Sequence, residues 1–362
     1  MATLRHAAMT QKVIEVNQRI AAGQSLSAAC KAASLSTAAF KKWSAAFQTQ
    51  TPPRWVIASS SKGAFSLAHD GKTVLVAHEH SAGVTLEQRG TEHGEVRLTA
   101  ALDAPRSPHS WRAVVHLQGD AAQQRALMVL SGGAVLSWDL VNNTLSAAAP
   151  WFAERVWSPD TLCSSGPRRW PAWALSPDLE TLVHWALPTE GDRPDTLVVR
   201  QMRDGAERGR FVLGPVFISH PMAFHPAGRR FATLDDNKCV VVLDLETLEV
   251  LVDKGPQAHA VSFCDEHTVL YDSWYAKTHR FDFIQKTDSL CYQSWGTQAS
   301  LGAHWLSLDN HAINVIDAKT RQGGRGTPWD ELKLTEINPE GTVVAALTEH
   351  LAVWHAADFF KE

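Results

Sequence analysis

The strongest constraint on this chain is a unit that recurs. Residues 222–255 read "MAFHPAGRRFATLDDNKCVVVLDLETLEVLVDKG". Apolar and polar residues alternate there in four short runs, "MAFH", "RFATL", "CVVVLDL" and "EVLVD". The turns between them, "PAG", "DDNK" and "ETL", carry mostly residues that favour chain reversal. A four-stranded meander this small cannot bury its own faces, so such units must stack. Weaker copies begin at Phe65, Ala126, Trp173, Ala260, Gly302 and Thr335. Seven units in the 310 residues after position 52 average about 44 each, inside the ~40–45 expected of a four-stranded repeat. Gly-Pro at 166–167, 214–215 and 255–256 falls between one unit and the next.

The turns "SPD" (176–178), "HPAG" (225–228) and "NPEG" (338–341), with "SWDL" and "VLDL" at strand ends, resemble the WD40-like β-propeller family in a divergent bacterial style. The resemblance covers about 54–360, and the usual Gly-His signature is missing. It implies a mainly β fold, a seven-bladed WD40-like β-propeller over 53–362; irregular second and third units leave six or eight blades open. The last unit ends near "LAVWHAADF" with no fourth strand after it, while a spare run, "RWVIASS" at 54–60, precedes the first. Placed on the last unit, that strand closes the ring and removes an exposed edge.

Residues 1–52 follow a different period. "TQKVIEVNQRIAAG", "SLSAACKAAS" and "STAAFKKWSAAF" have the 3/4 apolar spacing of short helices, and Pro52-Pro53 ends the pattern. This part holds six Lys or Arg against Glu15, a net +5, whereas the whole chain is −4 and the remainder therefore −9. "SLSAACKAASLSTAAFKKW" (25–43) resembles the helix-turn-helix of transposase-type and homeodomain-like bacterial DNA-binding domains. On that resemblance 1–52 is a small all-α trihelical domain. Ala28, Ala29 and Ala32 let two helices approach, Leu35, Phe40 and Trp43 form the core, and Thr37, Ala38, Lys41 and Lys42, with Lys31, face DNA. Alanines at the reading positions point to binding through phosphates that weakens with salt. The same face suits docking on protein.

Five scattered cysteines give neither a disulfide framework nor a cysteine metal site. The N-terminus lacks the apolar core of a signal peptide and no run is long enough to span a membrane, so the expected setting is reduced and cytoplasmic. "HEH" (78–80) puts two histidines on one strand face, but no third ligand is identifiable, and exposed loop histidines are expected. Arg203, Arg208 and Arg210 are solvated loop charge or a phosphate contact. Arg229 and Arg230 are expected to do nothing specific. Arg168 and Arg169 beside Trp170 have the composition of an interface hot spot on a rim. "SGG" (131–133) and "RQGGRG" (321–326) lack phosphate-loop spacing. No cofactor, metal or catalytic residue is expected.

These readings give a non-enzymatic adaptor or regulator. The helices tether it to DNA or to a DNA-bound complex, and the propeller rim binds a protein partner. One alternative is a pure protein scaffold in a multi-subunit defence, toxin or mobile-element system; another is a propeller hydrolase or lyase.

Overall fold

The computed structural model describes residues 12–13, 15–16, 19–20, 24–41, 51, 53–58, 64–80, 83–102, 113–156, 172–186, 195–215, 221–273, 277–292, 295–298, 304–309, 312–317, 323–326, 334–347 and 350–360. From Trp55 onward these residues form antiparallel meanders, grouped in seven four-stranded sheets. In chain order the first comprises Ala64–Leu67, Thr73–His80, Gly83–Gly90 and Val96–Leu102; the second Val114–Gly119, Arg125–Leu130, Val135–Asp139 and Thr144–Ala148. The third comprises Trp173–Leu175, Thr181–Trp185, Thr196–Gln201 and Glu207–Val212; the fourth Ala223–Phe224, Arg230–Leu234, Val240–Asp244 and Glu249–Val252. The fifth comprises Ala260–Asp265, Thr268–Ser273, Lys277–Asp282 and Thr287–Tyr292; the sixth Trp295–Gln298, His304–Asp309, Ala312–Asp317 and Gly323–Gly326.

The seventh sheet has Leu334–Ile337, Val343–Leu347 and His350–His355 from the end of the chain, and Trp55–Ala58 as its fourth strand. Trp55 pairs with Val353 and Ala58 with His350, antiparallel and in register. The edge that three C-terminal strands would leave open is thus covered by a strand from 300 residues earlier.

The central strands of each sheet are apolar on both faces, because each sheet packs between two others. Along Val343–Leu347 successive side chains point to opposite faces. Val343 and Ala345 join a core with Phe65, Leu67, Val74 and Val76 of the first sheet. Val344 and Ala346 join another with Leu306, Ile313 and Val315 of the sixth. Similar shared cores link first to second, second to third, third to fourth and fourth to fifth sheets. A small one of Leu270, Cys291 and Ile316 links fifth to sixth. First strands of neighbouring sheets pack beside one another, which sets them at the centre of the array.

The units expected from Ala126 and Gly302 begin too late. Each has an earlier first strand, Val114–Gly119 and Trp295–Gln298, too short or too polar to stand out as an alternating run. "GGRG" inside the "RQGGRG" run is the outer strand of the sixth sheet. The first strand of the best-patterned unit is only Ala223–Phe224.

In the N-terminal part a helix, α1, spans Leu26–Ala32, with Ser25 Oγ accepting the Ala28 amide at 3.3 Å. A tight turn follows in which Ser34 takes φ 51°. A second helical stretch, 37–41, starts after Ser36, whose Oγ accepts the Ala39 amide at 3.1 Å. Val13, Val16, Ala29, Cys30, Ala33, Leu35 and Phe40 form one small buried cluster. Ala29 and Ala33, one turn apart, supply the close approach expected of Ala28 and Ala32, which are exposed.

Candidate functional site

The helical part presents its polar residues outward. Thr37, Ala38, Lys41 and Lys31 are exposed. Lys42 and Trp43 lie outside the described residues, as do Arg168, Arg169 and Trp170 of the expected rim contact.

The other basic spots are neutralised locally. Arg210 and Arg200 both engage Glu207, and Arg203 lies 3.4 Å from Asp204. Arg208 donates to the Leu245 carbonyl at 3.3 Å, tying the third sheet to the fourth. Arg229 pairs with Glu246. Arg230, for which the sequence suggests no specific role, does make specific contacts. It lies over the Phe283 ring at 5.6 Å and pairs with Glu266, so it bridges fourth and fifth sheets.

The histidines of "HEH" are on the strand Thr73–His80 and not in a loop. His78 Nε2 lies 3.0 Å from Glu87, and His80 Nε2 lies 2.9 Å from Thr85 Oγ1. Glu79 between them points the other way and is 6% exposed; one carboxylate oxygen accepts the Ala113 and Val114 amides. Among the described residues no group of three or more His, Cys, Asp or Glu could hold a metal ion.

The first strands line the centre with polar groups that stitch sheet to sheet. Glu336 accepts the Leu67 amide at 3.1 Å, and burial pushes its carboxyl up to about 8. Gln118 donates to the Ser176 carbonyl at 3.0 Å and shares a 3.2 Å contact with His116. Burial against Trp173, with rings 4.8 Å apart and edge-on, pulls His116 down to about 4. Burial raises the Cys264 thiol to about 12, so it stays a thiol. These groups hold neighbouring sheets in register.

A fourth feature escaped notice in the sequence, although its signal is there. Asp139, Asp244 and Asp282 end the third strands of their sheets in "WDL", "LDL" and "FDF". Each accepts the amides two and three residues ahead, at 2.8–3.0 Å. Asp70, Asp120, Asp178 and Asp265 cap the turns between first and second strands. In an antiparallel meander these two sets of turns share one edge of every sheet. Turn chemistry repeated by topology therefore gathers carboxylates on one side of the array.

No family model matches the chain, and no curated protein matches it. Among solved structures it is similar to the crystal structure of the Myceliophteria thermophila Cps50 (Swd1) β-propeller domain. The two are 14% identical, the match covers 83% of this chain and 98% of that one, and the TM-score is 0.52. At that identity the likeness speaks for the fold. This chain has a β-propeller fold. In the propeller frame the first strands are the inner ones, and the turn-bearing edges make up one of its two faces. Among the described residues no helix is long and apolar enough to cross a membrane.

Proposed function

We propose that this protein is a non-enzymatic adaptor in which a rigid propeller and a small basic helical part hold two different partners. We read the seven sheets as seven blades of a closed ring, sealed by the strand Trp55–Ala58. WD40-type propellers suit protein interaction because their cores lock the blades and leave the turns free to vary. The observation that carries the reading is the division of labour between the two cores. Most of the propeller's described large apolar residues lie in cores between sheets, whereas the helical part has its own cluster around Ala29 and Phe40 and turns Thr37, Ala38, Lys31 and Lys41 to solvent.

The helical part is proposed to tether the protein to DNA or to a DNA-bound complex, with Thr37, Ala38, Lys31, Lys41 and Lys42 on the contacting face. Arg168, Arg169 and Trp170 are proposed as part of a rim contact with a protein. Few basic residues and two small side chains at the reading positions support modest affinity drawn from phosphates. The exposed alanines Ala28, Ala32 and Ala38 support a second reading, a protein scaffold without DNA contact, because small side chains let another backbone approach. The test is an electrophoretic shift on short duplexes at low salt. The expected result is retarded duplex with wild type, lost in Lys41→Ala/Lys42→Ala. A wild type that shifts no duplex, yet co-purifies with a protein through nuclease and high salt, overturns the DNA reading in favour of the scaffold.

A further inference from the structure

The turn edges of the blades form one face of the propeller, and its charge is predominantly acidic, although Lys72, Arg203, Arg229 and Lys286 are exposed there too. Asp120 and Asp139 of the second blade, Asp178 of the third, Asp244 of the fourth, Asp282 of the fifth and Glu340 of the seventh all lie there, partly or fully exposed. Each is without a salt bridge among the described residues. The aspartates are fixed by turn amides that use one carboxylate oxygen; the second oxygen of Asp139 accepts the Asn142 side-chain amide at 2.8 Å. On the opposite face the described turns are uncharged at 131–134, mixed at 235–239 and 253–254, and carry exposed Asp195. A ring of like charge on one face produces a field reaching beyond any single contact.

The basic part of the chain leaves from the acidic face. The seventh blade lacks a turn between its third and fourth strands. In its place the third strand ends at His355 and the fourth begins after Arg54, both at that edge. The exit is pinned. The buried Trp354 indole donates to the Thr51 carbonyl at 3.0 Å, the Arg54 amide donates to Val353 at 2.7 Å, and the Arg54 guanidinium holds Asp358 at 2.5 and 3.0 Å. Ten residue steps separate Lys41 from Thr51, a reach of at most about 35 Å. The +5 helical part is therefore confined to the neighbourhood of this face.

We propose that the helical part docks on the acidic turn face of its own propeller, with Lys31 and Lys41 set against the turn carboxylates. The occupant is this segment because it carries a complementary net charge of +5, held at a high effective concentration by its tether. The contact occupies the same lysines that a polyanion would use, so the face acts as an internal competitor for any such ligand. The docking rests on the exposed basic face of the helical part and not on whether DNA is its target.

Carbodiimide cross-linking of the full-length protein, which joins lysine amines to carboxylates, tests this. At low salt and high dilution the expected products are intramolecular links from Lys31 or Lys41 to turn-face residues such as Asp178 or Glu340. They should fall several-fold at 0.5 M salt, about where the screening length drops to a few ångströms. Lys31→Glu/Lys41→Glu should abolish them with the circular dichroism spectrum unchanged. Asp178→Lys/Glu340→Lys, at exposed turn positions, should reduce them from the other side. A short duplex should displace the links if DNA is a ligand; links that persist unchanged with duplex leave the docking intact and count against DNA binding. Links that appear only between molecules and grow with concentration, or links to the opposite face, overturn the proposal.

Discussion

Two of the propeller's interfaces solve one packing problem with the same pair of residues. Where the seventh sheet meets the first, Trp55 lies on Gly94 and donates its indole N–H to the Thr91 carbonyl at 2.8 Å. Where the second meets the third, Trp151 lies on Gly205 and donates to Met202 at 3.3 Å. Both glycines sit in the turn between third and fourth strands, at φ +72° and +71°. A β-carbon would stand 2.9 Å from the Trp55 ring and 2.5 Å from that of Trp151. Glycine is required twice over, for the left-handed backbone and for the ring lying on it. The difference lies in the chain. Between second and third sheets it runs on covalently through Trp151, whereas at the seam Trp55 belongs to a strand brought from the other end. One tryptophan fills an interface, and the other also holds a closure that nothing covalent enforces.

The comparison is broken most directly by truncating each ring. Trp55→Ala and Trp151→Ala should each cost about 3–5 kcal/mol, the usual range for a buried Trp. Trp55 is 3% exposed and Trp151 9%. Amide exchange should separate them. Loss of Trp55 should raise exchange along His350–His355, since its partner strand detaches. Loss of Trp151 should raise it only around 202–205 and Trp173–Leu175. Equal and local effects at both places would mean that the seam is held by something other than the Trp55 strand.

This asymmetry explains which features the sequence displayed. Second and third strands such as "RFATL" and "VVVLD" are buried on both faces, so their apolar runs stand out. First strands are short or mixed, because they face the polar centre. Ala223–Phe224 has two residues, and Val114–Gly119 carries His116 and Gln118. The run before the first unit pointed to a strand with no blade of its own, and Trp55–Ala58 lies on the last one. In α1 the apolar spacing was visible, but alanine carries too little signal to say which of Ala28, Ala29, Ala32 and Ala33 turns inward. The one-sided face of aspartates was hidden for another reason. Each "D" is an ordinary turn residue in sequence, and only the meander puts them on one side.

A smaller effect is expected at the pinned start of the closing strand. Arg54 engages Asp358 through both carboxylate oxygens and also pairs with Glu92, which lies 3.3 Å from His355. The second-to-third interface has a weaker counterpart, Arg155 donating to the Gly205 carbonyl at 3.4 Å. Arg54→Ala should cost about 1–2 kcal/mol, after allowance for its partial exposure. Arg155→Ala should change stability little. Denaturant midpoints measure both. An Arg155 variant as destabilised as the Arg54 variant would erase the distinction between closed and continuous interfaces.

The smallest effect at neutral pH, and the one that sharpens the comparison, comes from protonation. The two regions should respond to pH with opposite sign. Glu336, beside the seam, has its folded value pushed by burial from 4.5 to about 8. Its contribution is fully present below pH 4.5 and is lost as pH rises through 8, because folding then requires a buried carboxylate. His116, against the third sheet, and His184 within it are pulled by burial from 6.5 to about 4. Their contribution is present above pH 6.5 and is lost as pH falls through 4. Thermal midpoints measured from pH 4 to 9 should therefore decline at both ends. Glu336→Gln keeps the shape of the side chain without its charge, and should flatten the alkaline decline only. His116→Gln should flatten part of the acid one. If Glu336→Gln leaves the alkaline limb unchanged, that limb does not come from the buried Glu336 carboxyl.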